Sequence, residues 1–74
     1  MIAVLAGNAR EFSEYVRWRK LTTKQAMFCA FRDHMKGIRF TEFVRVGTWY
    51  LQDEDLLDEF ELQEHIALSE GRHV

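Results

Sequence analysis

Apolar residues are unevenly spaced along this chain, and their spacing divides it into distinct segments. Residues 2–6 (IAVLA) are apolar without a break and end at Gly7-Asn8. So short a run is a poor helix, and it predicts a strand covered on both faces at the centre of a small parallel sheet. From Ala9 to Lys20 the period changes. Phe12, Tyr15 and Val16 share one helical face, Arg19 lies at its edge, and Asn8 is placed to cap the first turn. Trp18 falls well round the helix from Phe12, which predicts partial exposure.

The segment TTKQAMFCAFRDHMKG supports two readings. Thr22 and Gln25 have capping-box spacing and Gly37 suits a helix terminus, which together argue for a helix. The compact apolar and aromatic run Ala26–Phe31 argues for a strand over 27–31, then a helical turn over Asp33–Lys36. The strand reading is favoured. FTEFVRVG is a clearer strand, because Phe43, Val44 and Val46 are strand formers and Gly47 ends it. Asp53 then caps a helix over 54–69, with Glu54 and Asp55 at the positive end of its dipole. Leu56, Leu57, Phe60 and Ala67 form its core stripe. Leu62 and Ile66 fall on another side and are expected to pack along the flank of the core; a partner surface is the alternative. Gly71 is the expected stop, and the last residues are expected to fray.

The expected fold class is α/β: one domain over residues 1–74, with element order β-α-β-β-α. It has a three-stranded, mainly parallel sheet (order 2-1-3) and two main helices. A right-handed strand–helix–strand crossover places the first strand in the middle.

Charge changes the picture more than composition does. The chain is 47% hydrophobic with ten aromatic residues, which suits a folded domain, but 74 residues leave little room for a walled active site. The net charge of −2 hides a split: residues 10–45 hold nine basic residues against four acids, and residues 46–74 hold eight acids against Arg72. Such a dipole suits docking by electrostatic steering. The plainer reading is two solvated charged faces. The single cysteine, Cys29, forms no internal disulfide and fits a reducing compartment. No apolar run approaches the roughly 18 residues of a membrane span, and the apolar start lacks the basic leader of a signal peptide.

Candidate chemistry is sparse. Gly7-Asn8 follows a strand and precedes a helix, where phosphate loops sit, yet neither G-x-G-x-x-G nor G-x-x-x-x-G-K-[ST] is present. A tight corner is the expected role. Cys29 has no C-x-x-C partner and lies between Phe28 and Phe31, as a buried, inert thiol would. His34, His65 and His73 lack ligand spacing, so neither a metal nor a cofactor is expected. The acids of the last helix read as a solvated face, and no catalytic constellation emerges. Arg17, Arg19, Lys20 and Lys24 cluster around Trp18, a combination that can contact phosphates and bases. Cations at a helix C-terminus also complement its dipole, and a free-standing nucleic-acid binder is usually basic overall. Gly47-Thr48-Trp49-Tyr50 is expected to be a strand-to-helix turn whose aromatics cover the core.

The blocks MIAVLAGNAREF and EFVRVGTWYLQDEDLLDEF resemble a group of small bacteriophage proteins that begin with an apolar strand running into A-G-N and carry V-x-V-G-T-W/Y before a final helix. The group includes transcription antitermination factors that bind host RNA polymerase. The resemblance covers most of the chain and is weakest over residues 20–40. Neither block is a catalytic signature. The resemblance implies a non-enzymatic regulator in the host bacterial cytoplasm, with no membrane association. It would dock near the amino end of the polymerase's largest subunit and the flap region, beside the RNA exit channel. There it would hinder sigma factor, inhibiting initiation, and obstruct the terminator hairpin, promoting readthrough. A host elongation factor at the same channel would strengthen the effect.

The residues expected to make the contacts are Arg17, Trp18, Arg19, Lys20 and Lys24, with Trp49 and Tyr50 second. The basic edge would face nascent RNA, and the acidic helix would meet basic polymerase surface. Two other readings compete: a small phage adaptor or virion structural protein, and a small nucleic-acid-binding module.

Overall fold

In the computed structural model, which describes residues 1–71, the elements run β1 (Ile2–Ala6), α1 (Ala9–Arg19), β2 (Ala26–Phe28), a 3-10 turn (Arg32–Met35), β3 (Glu42–Val46), a second 3-10 turn (Trp49–Leu51) and α2 (Glu54–Ser69). The fold is α/β. β1 lies between β2 and β3 in the order 2-1-3, and both pairings are parallel. Ile2 stands opposite Ala26 on one side and Glu42 on the other.

The unbroken apolar run at the start now has its reason. Successive side chains of a strand point to opposite faces. Ala3 and Leu5 join Cys29, Met35, Phe40, Phe43, Leu56, Phe60 and Ala67 in one buried cluster beneath α2. Val4 and Ala6, also fully buried, point the other way, toward α1. On the α1 side Phe12 stacks on Phe28, with ring centroids 5.3 Å apart. On the α2 side Phe43 meets Phe40 and Phe60 edge to face, at 5.7 and 5.5 Å, the geometry that aromatic quadrupoles favour. Arg45, on the same face of β3, forms a two-pronged ion pair with Glu64 of α2 (2.8 and 3.3 Å) and lies over the Phe60 ring.

Both helices are capped as their sequences require. Asn8 accepts from the Glu11 N–H at 2.9 Å, and Asp53 accepts from the Leu56 N–H at 3.0 Å. α1 buries no residue completely, because Phe12, Tyr15 and Val16 lie over a narrow sheet and stay half-buried.

Two expectations are corrected. The strand expected over 27–31 occupies Ala26–Phe28 only. The Cys29 side chain turns into the core, Ala30 N–H folds back to Phe28 O at 3.1 Å, and Phe31 is left exposed. The following turn accordingly starts at Arg32 rather than Asp33. The capping contact does form, with Gln25 Oε1 accepting from the Thr22 N–H at 2.8 Å, but it closes a turn that enters a strand.

Leu62 and Ile66, expected along the flank of the core, are exposed, as is Leu68. A three-stranded sheet offers α2 room to bury one stripe, and Leu56, Phe60 and Ala67 occupy it, with Leu57 packed alongside. The fraying expected at the end of the chain, and His73, fall on residues 72–74, outside the described residues.

Candidate docking surfaces

The Gly7-Asn8 corner is closed by the chain itself. Glu11, one turn into α1, turns its carboxylate back over the corner. Its Oε1 accepts from the Gly7 N–H at 2.8 Å and from the Thr48 N–H at 3.0 Å, and the Thr48 hydroxyl donates to the same carboxylate at 3.0 Å. These donors, the Thr48 N–H foremost, hold the Glu11 carboxyl below the usual carboxylate range.

Glycine is needed twice for this approach. A Cβ at Gly7 would lie 1.9 Å from Thr48 Oγ1, and one at Gly47, where φ is +57°, would lie 2.5 Å from Glu11 Cδ. Gln52 closes the same corner, donating from Nε2 to Ala6 O at 2.7 Å. The site lies past the carboxyl ends of β1 and β3, at the point where strand order reverses and open parallel sheets take their ligands. Here a tethered carboxylate receives the donors. Gly7-Asn8 is therefore a corner rather than a phosphate loop. Sequence reasoning passed over Glu11, although Asn8-x-x-Glu11 has capping-box spacing.

The basic edge stands at the opposite end of the sheet. α1 closes in a Schellman motif, with Leu21 N–H donating to Val16 O at 2.9 Å and Lys20 N–H to Arg17 O at 3.2 Å. Lys20 takes the left-handed position, with φ +55° and ψ +43°, where glycine is usual. Trp18 is 77% exposed, more than the partial exposure expected, and touches only the tilted Tyr15 ring at 6.3 Å among the ring contacts described. Arg17, Lys20 and Lys24 are exposed and form no ion pair among the described residues.

Arg19 differs from its neighbours. It bonds to the Tyr15 hydroxyl, lies over the Tyr15 ring and pairs with Glu42 at the start of β3, at 3.4 Å. Arg17, Trp18, Lys20 and Lys24 thus stand exposed on the last turn of α1 and the segment after it, and Arg19 anchors that end to the sheet.

Trp49 and Tyr50 lie at the other end of β3 and are not brought together with the basic edge. Trp49 packs against the core with Arg45 over its ring, as expected of an aromatic covering the core. Tyr50 does not: it is exposed, as is Leu51 beside it.

On the far face of the sheet, the outer side of α2 carries Asp58, Glu61 and His65 between exposed Leu62 and Leu68, with Ile66 beyond Leu62. Asp58, Glu61, Leu62, Glu64, His65 and Leu68 line an open groove along it. The last turn of α2 holds no basic residue.

Nucleophile and metal chemistry find little here. Cys29 is enclosed by the core, and burial pushes its thiol up to about 12. Among the described residues no three His, Cys, Asp or Glu side chains are grouped to hold a metal ion. No helix of the described residues is long and apolar enough to cross a membrane. Comparison with protein-family models, curated proteins and solved structures gives no match to this chain.

Proposed function

We propose that the chain is a non-enzymatic phage regulator that docks on host bacterial RNA polymerase, near the RNA exit channel, through the basic edge around Trp18. Docking there inhibits sigma-dependent initiation and promotes readthrough of terminators. The observation that carries the docking face is Trp18: a large aromatic, 77% exposed, held on a capped helix end between Arg17 and Lys20. Trp and Arg dominate the energetics of protein interfaces.

Lys20 adds to this. A lysine in the left-handed region is strained where glycine would be relaxed, and strain retained at a surface points to use of the side chain. The polymerase as partner rests on the resemblance of the two blocks at residues 1–12 and 42–60 to phage antitermination factors. The amino end of the largest subunit and the flap region are the docking elements of this reading, with a host elongation factor as an accessory partner. Lys24 and Arg17 lie where nascent RNA would pass.

Tagged chain is incubated with purified polymerase core enzyme and with holoenzyme, and retention is measured. Retention of core enzyme, reduced by the double variant Arg17→Glu/Lys20→Glu with unchanged circular dichroism, is the expected result. Failure of the native chain to retain polymerase that binds sigma factor normally overturns the proposal. Transcription across an intrinsic terminator then tests mechanism, and readthrough unaffected by the chain removes antitermination.

The adaptor reading has one specific observation in its favour, the second unpartnered surface on α2.

A further inference from the structure

We infer that the outer face of α2 is a second docking surface, and that its occupant is a lysine- or arginine-rich amphipathic segment of a protein partner. Three observations converge on it. The face is apolar where a surface helix should be polar: Leu62 and Leu68, which line one groove, are 52% and 57% exposed. A helix buries one stripe when it packs against a single layer. α2 has filled that stripe with Leu56, Phe60 and Ala67, so Leu62 and Leu68 lie outside the core.

The charge set among them has one sign. Asp58 and Glu61 stand on the same face and form no ion pair or hydrogen bond among those described. The helix adds the negative end of its dipole, with no basic residue in its last turn. His65 lies between Leu62 and Leu68, and no lysine or arginine lines the groove among the described residues.

The third observation is shape. The groove lined by Asp58, Glu61, Leu62, Glu64, His65 and Leu68 is open and formed by α2 alone, so it runs along the helix rather than into the domain, and Glu64 in it is already paired with Arg45.

Together these choose the occupant. Acidic side chains repel the phosphates of nucleic acid and the anionic headgroups of a membrane surface. The apolar side chains give a purely polar polycation nothing to bury. A segment with apolar residues at i, i+3/i+4 spacing and flanking cations satisfies both. A second copy of this chain, presenting its own basic edge, is the competing occupant. That contact is head-to-tail, giving a ring or an open chain, and its population would grow with concentration.

The surface lies on the other side of the sheet from Trp18 and is the acidic helix expected from the sequence to meet basic polymerase surface; the test uses no polymerase, so its failure and failure of the polymerase proposal are distinguishable. The full chain, labelled with nitrogen-15, is titrated with a synthetic amphipathic leucine/lysine peptide. Controls are a peptide of the same composition in scrambled order and a leucine/glutamate peptide of the same pattern. The expected result is shift changes confined to residues around Leu62, His65 and Leu68, weakened by salt and at least about tenfold weaker in Leu62→Ser/Leu68→Ser. Both leucines are exposed, so the variant keeps the fold, and its unchanged spectrum elsewhere verifies that. Equal response to the scrambled peptide, response to the acidic peptide, or shifts centred on Trp18 overturns the inference. So does a change of the α2 resonances with protein concentration alone, which assigns the face to a second copy.

Discussion

Lys20→Gly should make this protein more stable and less able to bind. Lys20 ends α1 at φ +55° and ψ +43°, a conformation fixed by the two bonds of the Schellman motif. An L-residue with a Cβ pays about 1–2 kcal/mol in that region. Glycine avoids this cost but loses roughly 0.5–1 kcal/mol more backbone freedom on folding. The difference leaves a net gain of about 0.5–1 kcal/mol, which in a domain of this size raises the melting temperature by roughly 2–8 °C.

Lys20→Ala is the control. It removes the same charge but keeps the Cβ, so its stability should match the native chain. Urea and thermal unfolding followed by circular dichroism separate the two variants, and polymerase retention should fall in both. If glycine and alanine prove equally stable, the strain argument is refuted. If the glycine variant gains stability and retains polymerase undiminished, the cation at this position has no part in docking.

Three further outcomes follow from the corner and the core. Glu11→Gln should lower stability at neutral pH and flatten the acid limb of the stability curve. The folded carboxyl is depressed, so its contribution is complete above the unfolded carboxylate range and is lost as pH falls through the folded value. An acid titration whose steepness is unchanged in the variant argues against the network. Gly7→Ala should cost about 3 kcal/mol by overpacking, since its Cβ would meet Thr48 Oγ1 at 1.9 Å and Thr48 O at 2.8 Å. Gly37→Ala, with open space around it but φ at +79°, should cost only about 1 kcal/mol. Urea midpoints of the two variants check the ranking. Cys29 should resist a thiol reagent in the native chain and react promptly in urea, because burial raises its thiol to about 12; rapid native reaction would place it outside the core.

Strand order was legible because a five-residue apolar run has so few ways to bury both faces. The caps were legible because Asn8 and Asp53 stand immediately before helical spacing begins. The extent of β2 was not. Pattern counts Cys29, Ala30 and Phe31 as strand formers alike, whereas the chain turns away just after the Cys29 N–H bonds to Val4 O, where the Ala30 N–H folds back to Phe28 O. Leu62 and Ile66 were misplaced for a related reason. Helical period shows which side they share but not how many layers the sheet supplies to cover it. At the site, exposure of Trp18 followed from its angle to Phe12, while the division between Arg19 and its neighbours did not. It depends on Glu42, 23 residues away, arriving beside it when β3 joins the sheet. The Glu11–Thr48 contact spans 37 residues and is equally out of reach of local spacing.

Glu11 also bears on where binding should be sought. In an open parallel sheet the amides beyond the carboxyl ends of the strands form the natural seat for an anion. In this chain the Gly7 and Thr48 amides and the Thr48 hydroxyl face a carboxylate tethered a few residues from the corner itself. A tethered group competes at an effective concentration of about millimolar or more, which a free anion must exceed to displace it. Gly7 and Gly47 admit that carboxylate so closely that no larger group fits beside it. The fold's customary ligand seat is thus used for its own closure, and recognition is left to the outer surfaces. Those are chemically opposite: cations and an exposed indole at the end of α1, acids and exposed leucines along α2, with the sheet between them. The whole domain measures 30 × 26 × 18 Å, so elements held on the two faces lie within about 20–30 Å of each other, the distance at which one small domain can bridge two parts of a larger assembly.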